Sequence, residues 1–285
     1  MAERFTIDAY SPREVAGRLQ DYCLAKVRLP LLPLLMLGML AGAFIGFGGL
    51  MYTLVAADTT IGFAASRLLS GLSFSVGLVL VSVAGGELFT GNCLLAMAWA
   101  DGRVTTRQVL HNWAVVLLGN FIGCVGLAVM VWLANQAYMN DGNVGRTAIR
   151  LATAKAELPL VEAFFRGILC NALVCLASWM ALAGRSVVDK AVAIVFPITA
   201  FVAAGFEHAI ANMYLMPLAM LLGAPLTMPD VLHNLVPVLA GNIVGGSVFV
   251  ALVYYVVYVR GAGGAGSRHR TSAVRRGLPP DASTR

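Results

Sequence analysis

Charge is what this sequence has least of. Lysine, arginine, aspartate and glutamate make up 12% of its 285 residues, and 59% are hydrophobic. A soluble domain carries roughly 25% charge, so the composition excludes an ordinary soluble globule and points to an integral membrane protein. No N-terminal signal peptide is visible: the first apolar stretch is long and follows a polar segment. Cysteine is sparse too. Cys23, Cys93, Cys124, Cys170 and Cys175 form no CxxC pair, so they read as small hydrophobes, not as disulfides or metal ligands. GxSxG, Walker A and HExxH are all missing, which leaves no catalytic set, no metal site and no expected cofactor. The net charge of +6 is spread over segment ends and tails. That is the pattern of the positive-inside effect, not of a nucleic-acid surface.

What is there is a series of apolar runs, each long enough for the roughly 20 residues that cross a bilayer. Segment one spans 29–57 and carries Gly38, Gly42 and Gly46, a small-xxx-small face for close helix contact. Segment two runs from about Arg67 to Ala100 and segment three lies between Arg107 and Asp141. Segment four lies between Arg166 and Arg185, segment five runs from Lys190 to about Pro229, and segment six lies between Asp230 and Arg260. Residues 1–28 form an N-terminal segment. Ser11-Pro12-Arg13-Glu14 starts a helix there, with Val15, Leu19 and Tyr22 on one face. It fits a helix lying on the membrane surface or one capping the protein. The Gly-, Ser- and Arg-rich stretch 261–285 reads as a disordered tail. Six spans with both termini cytoplasmic place most basic residues inside.

Two stretches stand out because they are polar where polarity is costly. Ala84-Gly85-Gly86-Glu87-Leu88-Phe89-Thr90-Gly91-Asn92 interrupts segment two, and Ala204-Gly205-Phe206-Glu207-His208-Ala209-Ile210-Ala211-Asn212 interrupts segment five. Their Ala-Gly-x-Glu starts and closing Asn residues keep one register. The piece after the first break, 88–100, is too short for a full span, so both segments read as discontinuous helices with a loop at mid-membrane rather than as hairpins. Gly119-Asn120 and Gly241-Asn242 extend the repeat into segments three and six. Each half, about 29–140 and 159–260, holds an odd number of spans, so the halves must be inverted. The expected fold is all-α, with six transmembrane helices in two inverted three-helix repeats.

Intramembrane ionisable residues mark pathways by default, which makes His208 the leading candidate to bind or protonate a passing anion. Thr90 offers a facing hydroxyl, and the breaks free backbone N–H groups that favour anions. Glu87 ties down its loop. Asn120 and Asn242 are positioned to bond backbone freed in a neighbouring break. Asn171 faces either the pore or a neighbouring helix. Lys155, before segment four, either attracts anions by its local potential or is simply solvated.

At these residues the chain resembles the formate/nitrite transporter family over roughly residues 20–260. Gly205 to Met213 is similar to that family's central-histidine motif, Gly86 to Thr90 to its segment-two loop, and Gly119-Asn120 and Gly241-Asn242 to its Gly-Asn pairs. The resemblance implies an aquaporin-like fold, a homopentamer with one pore per protomer, and an inner-membrane location among lipid. It makes His208 the pore histidine faced by Thr90, with Glu207 and Asn212 positioning it. Asn171 would belong to a polar chamber and Lys155 to the external vestibule. Phe74 and Phe201 would form the outer apolar constriction, and Leu78, Leu88, Phe89 and Val174 the inner one. Formate is the expected substrate, carried with protons. Nitrite, hydrosulfide and, more distantly, a neutral solute are the alternatives.

Overall fold

The computed structural model describes residues 9–260; the expected tail 261–285 and residues 1–8 of the N-terminal segment lie outside the described residues. Regular structure within that range is helical. Helix α1, Pro12–Val27, starts at a capping box in which Ser11 N donates to Glu14 Oε2 at 2.8 Å and Glu14 N to Ser11 Oγ at 3.4 Å. Its apolar face, Val15, Ala16, Leu19 and Cys23, is buried against the bundle. Tyr10, just before it, has the Arg18 and Arg185 guanidiniums 4.0 and 4.6 Å from its ring centre.

The chain then forms α2 (Leu31–Ala56), α3 (Phe63–Gly85), α4 (Phe89–Ala100), α5 (Thr106–Leu133), α6 (Asn143–Ala156), α7 (Leu160–Ala183), α8 (Val187–Ala204), α9 (Ala209–Leu221) and α10 (Met228–Arg260). Six of these, α2, α3, α5, α7, α8 and α10, are long and apolar enough to cross a membrane. Helices α4 and α9 are the short limbs that follow the two breaks. Segments two and five are thus interrupted, with a long limb before each break and a short one after it.

Several boundaries differ from those read in the sequence. Segment two begins at Phe63, before Arg67, because the Arg67 Nε reaches Ala203 O at 2.8 Å and need not leave the helix for water. Segment four begins at Leu160, before Arg166, whose guanidinium pairs with Glu162 one turn back at 2.8 Å. Segment five starts at Val187 and its second limb ends at Leu221. Pro229 belongs to the first turn of α10, which begins at Met228, and Asp230 completes a capping box with Thr227. These charged residues are caps or partners of helices, not their limits. The long loop before segment four also holds a whole helix, α6, which buries Val144, Ala148 and Ala152.

Close packing follows the small residues. A Cβ on Gly38 would meet Gly119 Cα at 3.2 Å, and one on Gly42 would collide with the Asn120 carbonyl. In the second half Gly167 meets Gly241 Cα at 3.2 Å, and a Cβ on Gly241 would collide with the Phe164 carbonyl. Backbones that touch in this way bring Asn120 and Asn242 within reach of the breaks.

Candidate functional site

At each break the backbone loses its helical partners, and a buried unpaired amide costs about 1–3 kcal/mol. Asparagine, which both donates and accepts, repairs the loss. Asn120 Oδ1 accepts from Phe89 N at 2.9 Å, and its Nδ2 donates to Gly38 O and Glu87 O, both at 2.8 Å. Asn242 Oδ1 accepts from Ala209 N at 3.0 Å, and its Nδ2 donates to Gly167 O at 2.8 Å and Glu207 O at 3.0 Å. The first limbs end at Gly85 and Gly205, whose φ angles of 96° and 78° suit glycine best.

Each break also holds a buried carboxylate. Glu87 pairs with Lys26 of α1, whose Nζ lies 2.8 Å from both its oxygens and 2.8 Å from Asn92 Oδ1. Asn92 Nδ2 donates to Glu87 Oε2 and to Asn112 Oδ1, both at 2.8 Å. Glu207 pairs with Lys155 of α6 at 2.7 Å, and Asn212 Nδ2 donates to Glu207 Oε2 and Asn234 Oδ1, both at 2.7 Å. The two networks use the same residue types but differ in their bonds: Asn234 Nδ2 donates to Lys155 O at 2.9 Å, whereas Asn112 Nδ2 has no partner among the described residues. Lys26 has three acceptors, whereas Lys155 has Glu207 alone, and Asn212 Oδ1 has no partner among the described residues.

Between the networks the two breaks meet. Thr90 Oγ1 lies 3.0 Å from His208 Nε2, with Thr90 fully buried and His208 3% exposed. His208 is the N-cap of α9, and Ala211 N donates to its Nδ1 at 3.1 Å. An Nδ1 that accepts carries no proton, so the neutral ring bears its hydrogen on Nε2 and donates it to Thr90. Glu207 and Asn212 do not hydrogen-bond the imidazole. They fix the loop and the helix on either side of it. Asn171 Nδ2 donates to Thr90 O at 3.2 Å and to Asn242 O at 2.6 Å, a tie between the two breaks. Two thiols join this backbone: Cys175 Sγ lies 3.3 Å from Thr90 O and Cys124 Sγ 3.3 Å from Ile210 O.

A cavity lies toward each end of α7. One, of about 200 Å³, is lined by Lys155, Arg67 and Arg166 and reaches Phe74, Phe201 and His208. The other, of about 150 Å³, is lined by Lys26, Lys190, Tyr22, Ser82, Leu78 and Leu88. Phe74 and Phe201 meet edge to face with ring centres 5.7 Å apart, and the Phe201 ring lies 5.9 Å from that of His208. Phe89 turns its ring to Trp113, 5.9 Å away, and Val174 is buried in the core. The arrangement is two cavities that carry cationic side chains on mostly apolar walls, with apolar side chains and one His–Thr pair between them.

The sequence reading overlooked Lys26, Asn112 and Asn234 as members of the site, although signals for them exist. Ala25-Lys26-x-x-Leu29-Pro30 recurs as Ala154-Lys155-x-x-Leu158-Pro159, and Leu110-His111-Asn112 recurs as Leu232-His233-Asn234.

The family profile for formate/nitrite transporters matches residues 13–256. The formate channel FocA of Escherichia coli K12 is 37% identical over 244 residues, covering 79% of this chain and 86% of that protein. A probable formate transporter of Methanothermobacter thermautotrophicus is 37% identical over 267 residues, covering 88% and 97%. A solved pentameric formate channel with formate bound is 35% identical with a TM-score of 0.75, covering 81% of this chain and 98% of that one.

Proposed function

The chain belongs to the formate/nitrite transporter family, and on that footing we propose that this multi-pass membrane protein is a channel for small monovalent anions, formate first among them. The observation that carries the reading is the Thr90–His208 pair, set between two cation-lined cavities beside the apolar rings of Phe74 and Phe201. An isolated ion entering such a constriction faces a penalty of tens of kcal/mol in the Born limit, so the species that crosses is the neutral acid. The anion gathers in the Lys155 cavity, takes a proton from solvent there, passes Phe74 and Phe201, and accepts a hydrogen bond from His208 Nε2 in place of Thr90. Leu78, Leu88, Phe89 and Val174 serve as the inner apolar lining.

His208 acts in this scheme as a hydrogen-bond donor. Donating a whole proton would first require protonating Nδ1, which means giving up the Ala211 N–H bond that starts α9. Glu207 and Asn212 position the ring through the backbone. Glu87, Asn120 and Asn242 support the loops, and Asn171 holds the two loops together. The duplicated networks support two inverted three-helix repeats. The basic residues at the α1 end support cytoplasmic termini, and the pentameric relative supports a homopentamer. Exposed Leu31, Leu32, Val188 and Phe196 suit contact with lipid or a neighbouring protomer.

The test is formate flux into proteoliposomes at graded external pH. His208→Phe abolishes flux. His208→Asn, which keeps an N–H donor but no titratable group, retains a flux that rises as pH falls. Loss of pH dependence in His208→Asn would make His208 the proton donor instead. Nitrite or hydrosulfide flux without formate flux would move the substrate assignment within the family, and glycerol flux alone would point to a neutral-solute pore.

A further inference from the structure

The three cations around the larger cavity differ in how the protein engages them. Arg166 is paired with Glu162, and Lys155 with Glu207. Arg67 gives only its Nε to protein among the described residues, at 2.8 Å to Ala203 O. That carbonyl is one of the last in α8 and has no helical successor to bond it. The bond anchors the guanidinium at the break and leaves both terminal nitrogens without a protein acceptor. One of them, Nη2, sits 2.7 Å from where a Cβ on Gly205 would stand. A side chain at that position would therefore displace the guanidinium. Arg67 is half-buried and lines the same cavity as Lys155 and His208.

We propose that Arg67 is the outer recognition residue of this channel, gripping a planar two-oxygen anion with its terminal nitrogens while Lys155 supplies the neighbouring charge. This rests on the channel reading above and narrows its substrate class. A guanidinium fork matches two oxygens on one carbon or nitrogen, whereas a lysine ammonium is a point charge indifferent to shape. Carboxylates and nitrite fit the fork, while hydrosulfide and halides give it one atom to hold. Gly205 then has a second use besides its left-handed φ: it leaves room for the guanidinium over the break.

The experiment measures formate uptake against concentration in whole cells and in inside-out vesicles, with sidedness fixed by protease access to an N-terminal tag. In cells Arg67→Gln raises the half-saturating external formate concentration about tenfold with little change in maximal rate, the scale of a charge-assisted bidentate bond in a partly wet site. Arg67→Lys keeps the charge and still reaches Ala203 O, so a merely structural role would be rescued. Here it also raises half-saturation. In inside-out vesicles neither variant shifts it. In wild-type protein, external formate but not chloride slows dicarbonyl modification of Arg67, a reading that needs no variant to fold. A wild-type-like Arg67→Lys, an equal shift from both faces, or modification unaffected by formate overturns the proposal. Wild-type flux of hydrosulfide with neither formate nor nitrite flux overturns this proposal alone, and wild-type protein that passes no small anion overturns the channel reading with it.

Discussion

Replacing Lys26 by methionine tests whether the ion pair at the α1 end holds the first break together. The lysine and Glu87 side chains are 10% and 6% exposed, and Lys26 Nζ makes three bonds of 2.8 Å. Methionine fills the same volume, so lost packing is small and the main effect is a carboxylate left buried with only Asn92 to serve it. Breaking such a pair by removing one partner costs about 3–5 kcal/mol, although the intact pair itself contributes little over apolar residues. Lys155→Met should cost less, because Lys155 is 20% exposed beside a cavity that lets water reach Glu207. The double variant Lys26→Met, Glu87→Gln removes the stranded charge and should recover most of the loss. Thermal unfolding of the purified channel in detergent, followed by the fluorescence of its four tryptophans, reads all of these. The reasoning fails if Lys26→Met melts like wild type, or if the double variant is no better than the single one.

Other consequences can be checked independently. Gly42→Ala drives a methyl into the Asn120 backbone, which cannot yield as a flexible side chain would. It should destabilise by about 1–3 kcal/mol and cut flux, read as lower melting and lower formate uptake. Phe74→Ala with Phe201→Ala removes both rings of the constriction and should admit glycerol, measured by stopped-flow light scattering. Hydrogen bonds from the Ser11 side chain and backbone hold the Glu14 carboxyl below its ordinary range. The cap it provides is therefore present above the usual carboxylate range and lost as pH falls through the lowered value. Amide protection factors across Val15–Leu19 should drop on acidification in wild type and be low at every pH in Glu14→Ala, whereas Glu14→Gln, which can still accept from Ser11 N as Gln108 does from Thr105 N, should remove the pH dependence.

The broken helices were legible in the sequence because polar residues deep in an apolar run have few physical explanations. The same logic found Glu87 and His208. It singled out Lys155 as an anion attractor but paired neither Lys155 nor Lys26 with the carboxylate it answers. Lys26 looked like one more cation of an amphipathic helix, and only its burial at the end of the Val15–Leu19–Cys23 face sets it apart. Lys155 looked like part of a charged loop because Arg146, Arg150 and Lys155 obscured the apolar stripe of α6. Charges near segment ends read as boundaries in the sequence, yet Asp230 caps a helix and Arg166 braces one. The direction of adjacent side chains was not legible either. Glu207 and His208 are consecutive, yet one turns to Lys155 and the other to Thr90.

The amide of Asn171 joins the Thr90 carbonyl to the Asn242 carbonyl, and Asn242 in turn holds Ala209 and Glu207. The two copies of the repeat are thereby yoked through a single side chain that belongs to one of them. Drift in one copy is constrained by the other. A residue inserted into either loop would shift a carbonyl on which the tie to the opposite loop depends. Because both bonds go to main-chain carbonyls, this tie does not depend on which side chains stand at positions 90 and 242, whereas a change at position 171 breaks both bonds at once.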